Sequence, residues 1–417
     1  MPYDLSVPNP GPIPFPEEID LAKVHRIHVL GVAGTGMGSF AGLLKKAGYD
    51  VTGSDENIYP PMSEKLPDWG IRVMPGFKPE NLDAANPDLV IVGNVIRKVN
   101  PEATAMRERG LRQASFPAAL GKLFLETRRP VVVAGTHGKT TTTALLAHVL
   151  ASAGRDPSFL VGGVPKNFPE SFHLGSGAEF VLEGDEYDTA YFDKGPKFLH
   201  YRPRFVQFNG AEFDHADIYR DMAHYESAFT RLFALVPADG FIAACASFHN
   251  TPALVRETAA TVETYSARET ADVTAANVHM SPEGSRFIVN RKGTKVGSFF
   301  LPMHGLHNIE NATGATAIAL GVTVWSGINT INSPGVNAVR ADCVGQGASC
   351  PAYVEGRNEQ LRTNVLIGVT AGLGAATGVI GLFFTRWSHA PEKAPTPIGG
   401  SFTPLPGGGA VGLSGRF

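Results

Sequence analysis

Cysteine is scarce. Cys245, Cys343 and Cys350 are the only three in 417 residues, which gives no disulfide framework and no metal-ligand cluster. Only an oxidising compartment would let Cys343 and Cys350 pair. Charge is sparse too: Asp, Glu, Lys and Arg make up 18% of the chain, with a formal net charge of −3. That leaves no basic field for a nucleic-acid partner. The opening stretch MPYDLSVPNPGPIPFPEEID has neither a basic patch nor an apolar run. This argues against a secretory signal and for a Pro-rich arm, so the folded part is expected to be cytoplasmic. The length predicts two or three domains.

Two glycine-bearing turns carry the argument. The first lies in HRIHVLGVAGTGMGSFAGLLKKAGYDVTGSD. His25 to Gly31 reads as a buried parallel strand, then a helix runs to Ala47, and YDVTGSD is a second strand ending in Asp55. PDLVIVGN reads as a later strand of the same sheet, with its polar end where open α/β sheets bind ligands. The spacing Gly31-x-x-Gly34-x-Gly36 departs from the dinucleotide pattern G-x-G-x-x-G. It fits a nucleotide-binding turn or a strand-to-helix turn with no ligand. Asp55 is placed to accept from a ribose or base edge, or to cap the next turn.

The second turn is VVVAGTHGKTTTTALLAHVL, Val131 to Leu150, a strand, a turn and a helix. A standard phosphate loop, G-x-x-x-x-G-K-[ST], wants glycine at 133; here Val133 stands there and Gly135 follows. The physical parts remain. Main-chain N–H groups at a helix N-terminus face phosphates, Lys139 supplies a cation and Thr140 a hydroxyl for Mg²⁺. VLEGDEYDTAYF then ends a strand in Glu183, Asp185, Glu186 and Asp188, carboxylates placed to hold a metal beside such a loop. Glu183 is the one singled out. FNGAEFDHADIY repeats the arrangement with Asp214-His215. RFVQFNG and GFIAACA read as further strands, DMAHYESAFTRLFALV and HNIENATGATAIALGV as helices, and GSRFIVNRKGTKVGSFFLP as a β-hairpin.

Together GVAGTGMGSFAGLLKKAGYDVTGSD, GTHGKTTTT, LEGDEYD, EFDHADIY and GLHNIENATGA resemble the Mur ligase family of ATP-dependent amide-forming enzymes, over roughly residues 20 to 322. The resemblance implies α/β architecture: a Rossmann-like UDP-sugar domain over 1–127 and a phosphate-loop central domain over 128–322. ATP and Mg²⁺ are the implied cofactors. Gly135, Thr136, His137, Gly138, Lys139, Thr140 and Thr141 would hold the phosphates. Thr140, Glu183 and His215 would hold metal, with Lys139, Glu183 and His215 as the catalytic set. Asn308 and Asn311 would reach the adenine side, and Gly34, Gly36, Met37 and Asp55 the UDP part. EYDTAYFDKGPKFLHYRPR with EFDHADIY is similar to the branch joining UDP-N-acetylmuramate to the murein tripeptide L-Ala-γ-D-Glu-meso-diaminopimelate, for peptidoglycan recycling. The branch adding L-alanine ranks second. Such chemistry passes through an acyl phosphate and needs no protein nucleophile, and no Ser-His-Asp or reactive-cysteine pattern is present.

From Thr323 the sequence turns small, polar and aperiodic, and the family's third domain is not expected in 323–417. Val365 to Thr385 runs uncharged for the length of a bilayer span, flanked by Arg362 and Arg386, with Trp387 at the interface and glycines spaced G-x-x-x-G. A buried glycine-rich helix is the alternative. The remainder is Pro/Gly-rich, which predicts disorder. Three readings stay open: a working ligase, a membrane-anchored nucleotide-binding protein that has lost catalysis, and a ligase fragment joined to unrelated sequence. Oligomeric state is not legible.

Overall fold

The structure is a computed structural model and describes residues 11–332, 350, 351, 354, 399–405 and 408–414. It divides into two compact units, Met1–Ala375 and Ala376–Phe417. The first holds two sheets.

The first sheet is built from β1 (Arg26–Leu30), β2 (Asp50–Asp55), β3 (Arg72–Pro75), β4 (Leu89–Val92) and β5 (Gln113–Ser115). All neighbours are parallel, in the order β3-β2-β1-β4-β5. Its helices are α1 (Thr35–Lys46), α2 (Met62–Asp68), α3 (Pro79–Ala85), α4 (Pro101–Glu108) and α5 (Phe116–Leu120). β4 is LVIV because both its faces are covered. Leu89 and Ile91 share a core with Phe40 and Leu43 of α1, while Val90 and Val92 pack with Leu82 and Met106 of α3 and α4. Strand order reverses at β1, so the β1–α1 turn opens into the crevice that this topology creates.

The second sheet has ten strands: β6 (Arg129–Ala134), β7 (Ser158–Leu160), β8 (Phe172–His173), β9 (Glu179–Gly184), β10 (Phe205–Phe208), β11 (Phe241–Cys245), β12 (Thr261–Ser266), β13 (Val273–Ser281), β14 (Gly284–Arg291) and β15 (Thr294–Leu301). Their order is β15-β14-β13-β12-β11-β10-β6-β9-β7-β8. Helices α6 (Lys139–Ser152), α7 (Met222–Ala234), α8 (Thr251–Leu254) and α9 (Leu306–Asn332) complete this layer. Alternation along β6 sets its two faces. Val131 and Val133 join the core under α6 and α9, while Val132 and Ala134 join the core that also holds α7 and α1. β9 lies on one side of β6 and β10 on the other, so the β6–α6 loop sits at a second switch point. β14 and β15 form the expected hairpin, turning at Lys292-Gly293.

The layers meet through aromatic contacts. Phe40 of α1 lies 4.9 Å from Phe116 and 6.1 Å from Phe124, ring centroid to centroid, and Phe124 lies 6.4 Å from Phe180 of β9. Gly42 leaves room for Phe172 of β8, since a Cβ there would stand 2.3 Å from that ring.

The boundary expected between 322 and 323 falls inside α9. The helix runs on through Asn332 because Val322 is buried and the Trp325 ring packs on Phe205, with the Arg129 and Arg204 guanidinium groups 4.2 and 4.9 Å from its centroid. Among the described residues no helix is long and apolar enough to cross a membrane. The span expected at 365–385 lies outside the described residues. In the second unit, Gly399–Leu405 and Gly408–Ser414 pair as an antiparallel hairpin.

Candidate active site

The first glycine turn and Lys139, which follows the second, line one cavity of about 380 Å³. Gly34, Thr35, Gly36 and Met37, at the start of α1, line one part of it. Lys139, Gly162, Glu183, Asp185, Lys197 and Tyr201 line another. Gly34 caps α1 without a side-chain hydrogen bond, and Gly138 does the same for α6. Both helix starts therefore offer main-chain N–H groups without a competing side chain, an arrangement suited to anions.

The β6–α6 loop needs its glycines. Gly135 has φ +130°, and a Cβ there would stand 2.8 Å from the Gly210 carbonyl. Gly138 has φ +74°, and its Cβ would stand 2.8 Å from Nδ2 of Asn311. This closeness brings α9 to the loop and accounts for Asn311 lying beside it. Asn308 sits one turn earlier, where its Nδ2 donates to the His304 carbonyl at 2.7 Å.

Lys139 donates to the Gly135 carbonyl at 2.8 Å, the Thr136 carbonyl at 3.3 Å, and both oxygens of Glu186 at 3.1 and 3.0 Å. Glu186 is fully buried and also accepts from the Tyr225 hydroxyl at 3.1 Å. The nearby anion pushes the Tyr225 phenol further up after burial has raised it. His215, at φ +56°, brings Nε2 to 3.4 Å from Glu186. Glu183 serves another part of the site. Its oxygens accept from the Thr140 hydroxyl at 3.1 Å and the Gly162 N–H at 2.6 Å. Burial raises the Glu183 carboxyl above its usual range, against the pull of those two donors. At Asp185 the balance reverses: burial alone would raise it, but the paired Lys197 ammonium holds it low.

Of the expected set Thr140, Glu183 and His215, the first two are hydrogen-bonded to each other and His215 lies beside Glu186. Among the described residues no three His, Cys, Asp or Glu are gathered to hold a metal. Thr140 and Glu183 nonetheless fit Mg²⁺, which takes hard oxygens and completes its shell from phosphate and water. The Thr136 hydroxyl bonds to Tyr225 and Glu212, at 2.8 and 2.9 Å, and its N–H to Gly210 at 3.0 Å. Thr136 therefore braces the loop. His137 is exposed, 3.3 Å from Glu212, and Thr141 is half-buried on the first turn of α6. Asp55 lies outside the cavity lining; its Oδ2 accepts the Ala33 N–H at 2.9 Å and so pins the first glycine turn.

Some residues of the site carry little sequence signal. Asn209, at the end of β10, donates to the His137 carbonyl at 3.2 Å and to Thr142 at 3.1 Å, and accepts from the Tyr265 hydroxyl at 2.9 Å. Lys197 and Tyr201 come from an aperiodic stretch between β9 and β10. Only the carboxylate run itself marked Glu186.

Comparison with known proteins places the chain in a family. The family model "Mur ligase family, catalytic domain" matches residues 26–128, and "Mur ligase middle domain" matches 133–319. The Haemophilus influenzae protein named UDP-N-acetylmuramate--L-alanyl-gamma-D-glutamyl-meso-2,6-diaminoheptandioate ligase is 38% identical over 316 residues, covering 75% of this chain and 69% of that one. A UDP-N-acetylmuramate--L-alanine ligase of Chlorobium phaeobacteroides is 32% identical over 303 residues, covering 72% and 63%. The crystal structure of UDP-N-acetylmuramate:L-alanyl-gamma-D-glutamyl-meso-diaminopimelate ligase from Neisseria meningitides superposes with a TM-score of 0.67 at 37% identity, covering 72% of this chain and 94% of that one.

Proposed function

Because the chain belongs to the Mur ligase family, we propose that it is an ATP-dependent carbon–nitrogen ligase that joins UDP-N-acetylmuramate to L-Ala-γ-D-Glu-meso-diaminopimelate. The observation that carries this reading is the single cavity shared by the Gly34–Met37 turn, Lys139 and Glu183. A ligand with a diphosphate at one end and an acid at the other suits such a space. The α1 N-terminus would take the UDP diphosphate, and the acid would meet the ATP phosphates on the β6–α6 loop. Thr140 and Glu183 would hold Mg²⁺, which neutralises phosphate charge when bound.

The bond changes are those of acyl activation. A carboxylate oxygen attacks the γ-phosphorus and ADP leaves, giving an acyl phosphate. The tripeptide amine then attacks the carbonyl carbon, phosphate leaves, and the nitrogen loses a proton as the amide forms. The protein contributes alignment and charge neutralisation. The tripeptide is proposed over L-alanine because relatives named for the tripeptide are 38% and 39% identical, and relatives named for L-alanine reach 34%.

The test incubates the purified chain with Mg-ATP, UDP-N-acetylmuramate and either amine, and follows ADP and product mass. ADP release that requires the muramate, with the tripeptide adduct dominant, supports the proposal. ADP release indifferent to the muramate, or a preference for L-alanine, overturns it.

A further inference from the structure

A second lysine faces the cavity, and the ligase chemistry above gives it no role. Lys197 opens a 3-10 turn, Lys197–His200, packed under α7. It is buried to 9% exposure, yet its side chain lines the cavity. Its ionic partner is Asp185, two residues beyond Glu183 on the β9 end. The other cavity lysine, Lys139, is fully engaged by Glu186 and two loop carbonyls and belongs to the phosphate loop. Lys197 differs. Among the described residues its hydrogen-bond partner is Asp185, and an ammonium has three N–H donors. Its Nζ also lies 5.7 Å from the Tyr187 ring centroid, which still leaves N–H donors for an anion in the cavity that it lines.

The neighbours agree. Thr189 and Tyr201 line the same wall. Burial first, then Asp185 and Glu183, push the Tyr201 phenol well above its usual range, so it stays a donor. ATP phosphates already have the α6 N-terminus, and a UDP diphosphate has the α1 N-terminus. The remaining anion of the substrates that enter this cavity is the acid to be activated.

We propose that Lys197, held by Asp185, pairs with the carboxylate of the sugar-acid substrate and so determines specificity for a UDP-sugar that carries an acid. This rests on the ligase reading. An ammonium acts as a compact point charge, which suits a carboxylate that must then leave one oxygen free to attack phosphorus.

The test titrates wild type, Lys197→Met and Lys197→Arg with UDP-N-acetylmuramate, with UDP-N-acetylglucosamine, which lacks the acid, and with Mg-ATP. Wild type should prefer the muramate. Lys197→Met should weaken muramate binding roughly tenfold to a hundredfold, the range for a hydrogen bond to a charged group. Affinities for the glucosamine compound and Mg-ATP should hold, and Lys197→Arg should keep part of the preference. Because methionine leaves Asp185 buried without its cation, the pair Asp185→Asn with Lys197→Met is titrated too, and should show the same selective loss. Equal loss for both UDP-sugars would assign Lys197 to the diphosphate and overturn the proposal, as would undiminished muramate binding. If wild type discriminates between the two sugars while Lys197→Met discriminates equally well, this inference fails and the ligase reading stands. If wild type binds neither sugar, the ligase reading itself fails.

Discussion

Lys139 sits among acceptors that a polyphosphate would outcompete: two neutral carbonyls and one buried carboxylate. Lys139→Met should therefore reduce Mg-ATP affinity roughly tenfold or more, the scale of a lost charge-assisted bond. UDP-sugar affinity should be retained, and calorimetric titration with each ligand checks this. Away from the site, Asp88 accepts from the Arg26 guanidinium at 2.8 Å and from the N–H groups of His25 and Arg26. Burial would raise its carboxyl, but these donors hold it at about 2. A carboxyl lowered on folding stabilises above its unfolded pKa, near the ordinary value of 3.8, and that contribution is lost as pH falls through about 2. Asp88→Asn should thus cost about 1 kcal/mol at neutral pH after allowing for solvent screening. The difference from wild type should shrink between about pH 4 and pH 2. Urea midpoints taken across that range provide the check, and a constant difference would contradict the assignment.

At the scale of elements, the two strand–turn–helix units explain why so much was legible. An apolar run buried on both faces, ending in glycines and followed by a helix, admits few structures, and β1–α1 and β6–α6 both follow it. Gly138 shows what the turn demands. Gly138→Ala adds a Cβ at φ +74° against Asn311, which should cost about 1–2 kcal/mol in backbone strain alone. A lower melting temperature and weaker Mg-ATP binding together are the expected result. Other elements carried no such signal. β7 and β8 span three residues and two, too short for alternation to register. Thr323–Asn332 opens a longer stretch that reads as small and polar, yet Val324, Ile328 and Ile331 keep helical spacing and the segment is helical, with Trp325 packed on Phe205 and two guanidinium groups. Within the site, Lys139, Glu183 and the Gly34–Met37 turn could be read from motifs, and the cavity unites them. Lys197 and Glu186 could not be assigned, since their roles depend on which strand ends the sheet order brings together. The hydroxyl of Thr136 turns to Tyr225 and the Glu212 carbonyl, a direction that sequence does not reveal.

At the scale of the molecule, the aromatic contacts from Phe40 through Phe124 to Phe180 tie the first sheet to the second within one core. The two layers should consequently unfold in one cooperative transition. Phe124→Ala should lower stability by about 3–5 kcal/mol, and scanning calorimetry should show a single peak in wild type. Two separate peaks in wild type would show that the contacts do not couple the layers. The proposed chemistry depends on the α1 turn and Lys139 lining one cavity. Its central claim is that ATP's terminal phosphoryl group goes to a carboxylate of the sugar acid. The direct measurement uses UDP-N-acetylmuramate labelled with ¹⁸O in its carboxylate, turned over with Mg-ATP and the tripeptide, followed by mass spectrometry of the phosphate released. The account predicts one ¹⁸O atom carried into each phosphate. Phosphate released without label, with the amide formed or not, would contradict it.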